Sequence, residues 1–247
     1  MDLDDFENQI KNIKRRVVAL FNSSELIKKL GEATQKGDSS IVTQVDIEIS
    51  EIVKEEFSEF ELCFYSEEEF DELSYPAIVV DPIDGTRELE RGLQECAVSI
   101  ALLNSQNFND NYGWIYNPYT QFEISNWQSF IAPKKNRDQK LLGLVSNSEW
   151  IRGKYNYVTS SEIALAPRGS IAFKLGLLGA GACDFVITLR PKNIWDIAAG
   201  NIILNDRNFV CFMNGKVVDE FNETRLDGPI LWCHPENLDM LRSIFQI

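Results

Sequence analysis

From Leu3 onward, apolar residues return every three or four positions, at Phe6, Ile10, Ile13, Val17, Leu20, Leu26, Ile27 and Leu30. That period draws one apolar stripe along an α-helix, broken at the polar triplet Asn22-Ser23-Ser24 and stopped by Gly31. A small polar loop follows from Gln35 to Ser40, where Lys36 reads either as a solvated charge or as part of a mobile lid. Thr43 then caps a second helix whose core face is Val45, Ile49, Ile52, Val53 and Phe57, and Asp46 falls in its first turn.

The middle of the chain reads as strands. Leu62 to Tyr65, Ala77 to Val80, Ala97 to Leu103 and Tyr112 to Tyr116 are apolar runs bounded by turn formers, with Asn104 to Asn111 as a hairpin loop. A further strand, Leu141 to Val145, precedes a soft boundary between two expected sub-domains, 1–146 and 147–247. Beyond it come a small-residue helix from Ser170 to Ala180, a strand from Asp184 to Leu189 and a helix from Trp195 to Leu204. Short strands and a last helix from Pro235 complete the chain. This order predicts a layered α/β (α+β) fold, without internal repeat or low-complexity tract.

Composition narrows the function. The 24 basic against 38 acidic residues give a net charge of −14, with no general excess of cations for a phosphate backbone, so a nucleic-acid polymer is not the expected partner. No window is apolar enough for a membrane span. Five scattered cysteines read as buried thiols in a reducing compartment, and the acidic N-terminus is unlike a signal peptide, so the cytoplasm is expected. The one histidine, His234, leaves no material for a multi-histidine zinc site or a histidine-based triad. Trp114, Tyr116, Tyr119, Phe122 and Trp127 read as alternating strand core rather than a base-stacking platform. Trp195, beside Asp196, is the tryptophan expected near a site.

The most informative stretch is Ala77-Ile78-Val79-Val80-Asp81-Pro82-Ile83-Asp84-Gly85-Thr86. A buried strand ends by delivering two carboxylates around a proline, with the Ile83 carbonyl as another hard oxygen donor suited to Mg²⁺. Gly85 allows close approach, and the amides of Gly85 and Thr86 would point at an anion if they opened a helix. Alone, this stretch is also a good turn. Likewise Glu67-Glu68-Glu69 alone is a solvated acidic turn, and Asp196 alone a helix-start residue. Their joint occurrence at the ends of apolar runs argues for a shared site.

Ser66-Glu67-Glu68, the Asp81 to Thr86 segment and Trp195-Asp196-Ile197-Ala198-Ala199-Gly200 resemble, in order, the signatures of the inositol monophosphatase superfamily. Val42-Thr43-Gln44-Val45-Asp46 and Gly169-Ser170-Ile171-Ala172 are similar to two further elements of it. The resemblance implies a layered αβαβα sugar-phosphatase fold and a Mg²⁺-dependent phosphatase. It implies that Glu67, Asp81 and the Ile83 carbonyl bind one Mg²⁺ and that Asp81, Asp84 and Asp196 bind a second, with a looser third involving Glu67. By the same resemblance, Thr86 and Asp46 orient the attacking water, the Gly85 and Thr86 amides hold phosphate, and Gly169 and Ser170 lie on the substrate side. Lithium sensitivity and a homodimer are implied in the same way.

Thr86-Arg87-Glu88-Leu89 with Arg91-Gly92 resembles the variant found in 3′(2′),5′-bisphosphate nucleotidases, as do Gly113 to Pro118 and Val145 to Glu149. Arg190 or Lys192 could meet a second phosphate, with a solvated loop as the competing reading. The expected substrate is a small phosphorylated molecule, first of all 3′-phosphoadenosine 5′-phosphate. The alternatives are an inositol or other sugar monophosphate and, in a different class, a non-catalytic ligand-sensing module. One departure stands out: Asn205-Asp206-Arg207-Asn208 replaces the family's Glu-Ala-Gly-Gly turn, which puts the adenine or sugar side of the pocket in question.

Overall fold

The computed structural model describes residues 1–24, 26, 34–35, 41–70, 72–129, 131 and 140–247. The expectations at Ile27, Leu30, Gly31 and Lys36 lie outside the described residues. Helix α1 spans Leu3–Phe21, started by Asp2, whose side chain accepts from the Asp5 amide at 2.9 Å. A two-strand ribbon, β1 (Thr34–Gln35) and β2 (Ile41–Val42), leads to α2 (Gln44–Glu56). Thr43 and Asp46 form a reciprocal capping box at the start of α2, which satisfies amides that the first turn would otherwise leave unpaired.

The first sheet has five strands: β3 (Cys63–Ser66), β4 (Ala77–Asp84), β5 (Ala97–Leu103), β6 (Tyr112–Tyr116) and β7 (Glu123–Ser125), in that spatial order. Strands β3 and β4 are parallel and the remaining pairs antiparallel. Between β4 and β5 lies the short helix α3 (Thr86–Glu90). The second sheet holds β8 (Leu141–Ser146), β9 (Ile163–Arg168), β10 (Phe185–Thr188), β12 (Val210–Met213), β13 (Lys216–Val218) and β15 (Ile230–Cys233), ordered β13-β12-β15-β10-β8-β9. Strands β11 (Lys192–Asn193) and β14 (Arg225–Leu226) pair separately. The remaining helices are α4 (Asn147–Ile151), α5 (Ile171–Gly179), α6 (Ile194–Asp206) and α7 (Leu238–Phe245).

Strand alternation decides the layering. On β4 and β5, Ile78, Val80, Ile100 and Leu102 face α1 and α2, meeting Phe6, Ile13, Val17, Ile49 and Val53. Their neighbours Ala77, Val79, Ala101 and Leu103 face the other way, onto Ala198, Ala199, Ile202 and Ile203 of α6. Helices α5 and α6 are covered in turn by the second sheet, through Leu144, Val186, Ile230 and Trp232. The far face of that sheet, with Phe185, Ile187 and Leu231, is closed by Leu241 and Phe245 of α7. Full burial of each such side chain contributes roughly 1.5–3 kcal/mol, so these helices are held by packing rather than by propensity. The expected αβαβα layering is present.

Three differences from the sequence reading have local causes. Strand β4 runs past Val80 to Asp84, because the polar Asp-Pro-Ile-Asp segment stays paired to β5. Strands β7 and β9 were not expected: both lie at sheet edges, and β7 is only three residues long. The Asn147 to Glu149 segment, for which no helix was expected, opens α4.

The central helix layer sits very close to the first sheet. A Cβ added at Gly113 would lie 2.6 Å from the Ala199 carbonyl oxygen and 2.9 Å from its Cα, both backbone atoms. Gly113→Ala is therefore expected to lower stability by about 1–3 kcal/mol through overpacking, read as a lower urea midpoint with an unchanged slope.

Candidate active site

The site begins with a parity problem. Side chains three apart on a regular strand point to opposite faces, so Asp81 and Asp84 of a straight β4 would diverge. The register shifts between them: Asp81 pairs with Ser99 and Asp84 with Ala97, three steps on β4 against two on β5. This bulge, at a proline that has no N–H to offer the ladder, reverses the parity. Ile83 consequently joins Ile78 and Val80 in the α1/α2 core, and Asp84 turns with Asp81 toward α5 and α6.

Asp196 comes from the third position of α6, where its Oδ2 accepts from the Asn193 amide at 2.8 Å. One carboxylate oxygen from each of Asp81, Asp84 and Asp196 lies within 4.8 Å of the others. Glu67 follows β3, and its amide donates to the Val80 carbonyl at 3.1 Å, which sets it beside Asp81. A cavity of about 300 Å³ gathers Glu67, Asp81, Ile83, Asp84, Gly85, Thr86, Gly169, Ser170, Lys192 and Asp196 in its lining.

Among the sequence-predicted residues Asp46 is the exception. It stands behind the wall, linked to it by the Thr86 hydroxyl, which lies 3.1 Å from Asp46 Oδ1 and 3.0 Å from the Ile83 carbonyl. With one hydrogen, Thr86 donates to only one of them at a time. Asp46 also accepts from the Thr43 amide at 2.9 Å. Gly85, with φ of 98°, has the Glu95 carbonyl oxygen only 2.8 Å from where a Cβ would stand, so a side chain there would be both strained and obstructed.

Electrostatically, the carboxylates disfavour one another. Burial, followed by the charges of Glu67, Asp84 and Asp196, pushes the Asp81 carboxyl well above its ordinary range. Asp196 is raised by burial and by Asp84, opposed chiefly by Lys192. Asp46 is raised by burial, against its hydrogen bonds from Thr43 and Thr86. Asp81 is 1% exposed, and its Oδ1 has no hydrogen-bond partner among the described residues. A buried, unpaired carboxylate oxygen beside two other carboxylates is the donor set a hard divalent cation takes, so the residues fit such an ion.

Two features were missed or misjudged from sequence. Lys174, read only as an interruption of an apolar helix, is 3% exposed and lines the cavity, its Nζ donating to the Arg168 and Gly169 carbonyls at 3.2 and 3.3 Å. Burial pushes its pKa down to about 8. A lone lysine in an otherwise apolar helix was the available signal. Of the two basic candidates near Asp196, Lys192 lines the cavity; Arg190 is not in its lining. Neither Lys174 nor Lys192 forms an ion pair among the described residues. The altered turn at Asn205 to Asn208 lies at the other end of α6 from Asp196, about 15 Å away, and does not line the cavity. There Arg207 donates to the Gly179 and Ser125 carbonyls at 2.6 and 3.1 Å, which ties α6 to α5 and β7. The departure is structural.

The inositol monophosphatase family model matches residues 2–228. A Pyrococcus furiosus protein named fructose-1,6-bisphosphatase is 30% identical over 213 residues, 81% of each chain. The 3′(2′),5′-bisphosphate nucleotidase CysQ of Buchnera aphidicola is 26% identical over 209 residues, 76% of this chain and 75% of its own. Among solved structures, an IMPase of Thermotoga maritima superposes with a TM-score of 0.78 at 22% identity, covering 99% of this chain and 97% of that one.

The raised carboxyls carry a pH signature. Where the folded pKa exceeds the unfolded value, the folded protein binds more protons. The stability involved is present below the unfolded pKa, 3.8 for aspartate, and is lost as pH rises through the folded pKa. In metal-free protein, Asp81→Asn should therefore raise Tm relative to the parent, by more at about pH 7.5 than at about pH 5. A divalent cation should raise the parent's Tm, most at the higher pH, and leave that of the variant nearly unmoved. Thermal scans with and without cation at both pH values check this.

Proposed function

The chain belongs to the inositol monophosphatase family and is a phosphatase, and on that premise we propose a Mg²⁺-dependent phosphomonoesterase of small, soluble bisphosphates. The leading reaction is hydrolysis of 3′-phosphoadenosine 5′-phosphate at its 3′-phosphate, with water as co-substrate and AMP and inorganic phosphate as products. The observation that carries this reading is the pairing, in one cavity, of the three-aspartate cluster with two lysines that have no ion pair among the described residues. The aspartates suit cations that hold one phosphate, and the lysines suit a second anionic group. The nucleotidase-like Thr86 to Gly92 segment and the CysQ relative favour the nucleotide. The Pyrococcus relative favours a second reading, a sugar bisphosphate.

In this reading Glu67, Asp81 and the Ile83 carbonyl would hold one Mg²⁺, and Asp81, Asp84 and Asp196 would hold a second. Bound there, the ions supply Lewis-acid stabilisation of the entering and leaving oxygens. The Gly85 and Thr86 amides orient the phosphate. Thr86 accepts a hydrogen bond from the attacking water while donating its own hydrogen to Asp46. The hydrogen bonds from Thr43 hold Asp46 fixed for that role. Gly169 borders the substrate through its backbone, and Lys174 and Lys192 hold the remote phosphate. Among the described residues no helix is long and apolar enough to cross a membrane; we place the activity in the cytoplasm, where all five thiols stay unpaired.

Phosphate release from 3′-phosphoadenosine 5′-phosphate should require Mg²⁺ and fall by roughly 100- to 1,000-fold in Asp84→Asn; full activity in that variant or without metal contradicts the reading. Lys174→Met should raise KM for the bisphosphate by about 10- to 100-fold, the value of a lost charge-assisted hydrogen bond. The same variant should leave KM for a monophosphate within about twofold. An equal effect on both substrates would remove the second-phosphate assignment.

A further inference from the structure

Ser170 was expected on the substrate side, yet its polar atoms are already engaged within the protein. Its hydroxyl donates to Asp84 Oδ2 at 2.6 Å and accepts from the Phe173 amide at 3.0 Å. The same Asp84 oxygen accepts from the Ala172 amide at 2.6 Å, so the first turn of α5 grips this carboxylate, one oxygen of which belongs to the aspartate cluster. Two further features suit a fixed linkage. Ser170 has φ of 47°, a conformation that non-glycine residues rarely adopt and that persists only where the surroundings enforce it. Its Cβ stands 3.2 Å from where a side chain on Gly85 would begin, so the metal loop and the start of α5 meet without intervening atoms.

We propose that Ser170 is a positioning residue for cation binding: its hydroxyl fixes the rotation of the Asp84 carboxylate and ties the loop after β4 to α5. This rests on the cation reading of the aspartate cluster and deepens it. A carboxylate free to rotate must lose that freedom when it binds an ion; one already held by two donors has less to lose. Hydrogen-bond partners behind metal ligands typically set metal affinity by 10- to 100-fold. Because the Ala172 amide remains when the hydroxyl is removed, the lower end of that range applies.

The test is Mg²⁺ binding by calorimetry without substrate, for the parent, Ser170→Ala and Ser170→Gly, with Asp84→Asn as reference. Glycine relieves the positive φ, so a loss shared by both variants belongs to the hydroxyl and not to backbone strain. Both should bind Mg²⁺ about tenfold more weakly, while KM for 3′-phosphoadenosine 5′-phosphate at saturating Mg²⁺ stays within about twofold. Mg²⁺ affinity within about twofold of the parent in Ser170→Gly, with Asp84→Asn impaired, overturns the positioning role and leaves the cation site standing. So does a KM that rises at saturating Mg²⁺ with unchanged Mg²⁺ affinity, which would mark a substrate contact. A parent that binds no Mg²⁺ overturns both readings.

Discussion

The bulge between Asp81 and Asp84 is the constraint on which the rest of the site depends. A regular strand would send one carboxylate into the α1/α2 core and the other toward α6. The extra residue on β4 reverses that, and the same reversal sends the Ile83 side chain into the apolar layer. One irregularity thus gives β4 two jobs: it stays paired to β5, with apolar side chains on both faces, and it presents two acidic groups to a single point. Layering supplies the third. Helix α6 lies between the sheets and begins at the cavity, so Asp196 faces the bulge from the neighbouring layer.

Bringing these groups together is electrostatically unfavourable, and the structure shows where the tension sits. Asp81 is the deepest, its Oδ1 is left without a partner, and each neighbouring carboxylate raises it further. The other two are held in place by hydrogen bonds, Asp196 from the Asn193 amide and Asp84 from Ser170 and Ala172. Such rigidity is what a cation site needs and what a site meant to relax by protonation would lack. Glu149 shows the contrasting case. It is equally buried, but it accepts from Tyr155 at 2.6 Å and Leu189 at 2.9 Å and so is satisfied by the protein itself.

Much of this was legible in the sequence, for definite reasons. Helices α1 and α2 announce themselves by period, and α2 also by Thr43, whose capping is local chemistry. The acidic segments stand out because each ends an apolar run, where a charge needs an explanation. The parity reversal was not legible: it depends on how β4 registers with β5, a non-local property. Lys174 was hidden for a similar reason, since its carbonyl partners lie on the segment before α5 and the anionic groups around it come from β4, α3 and α4. Ser170 was read as a substrate group because proximity to a pocket can be inferred from a motif, whereas the direction of a hydroxyl cannot. Edge strand β7 escaped because three residues, two of them polar, carry no apolar run of the kind that betrays central strands.

The central claim is that the three aspartates, brought to one point by the bulge, form the seat of divalent cations. Crystals of the protein soaked in Mn²⁺ and measured near the manganese absorption edge address it directly. The account predicts anomalous density bounded by Asp81, Asp84 and Asp196, with an oxygen of Asp81 in contact. Well-diffracting crystals in which those carboxylates enclose no anomalous scatterer at saturating Mn²⁺ would contradict it.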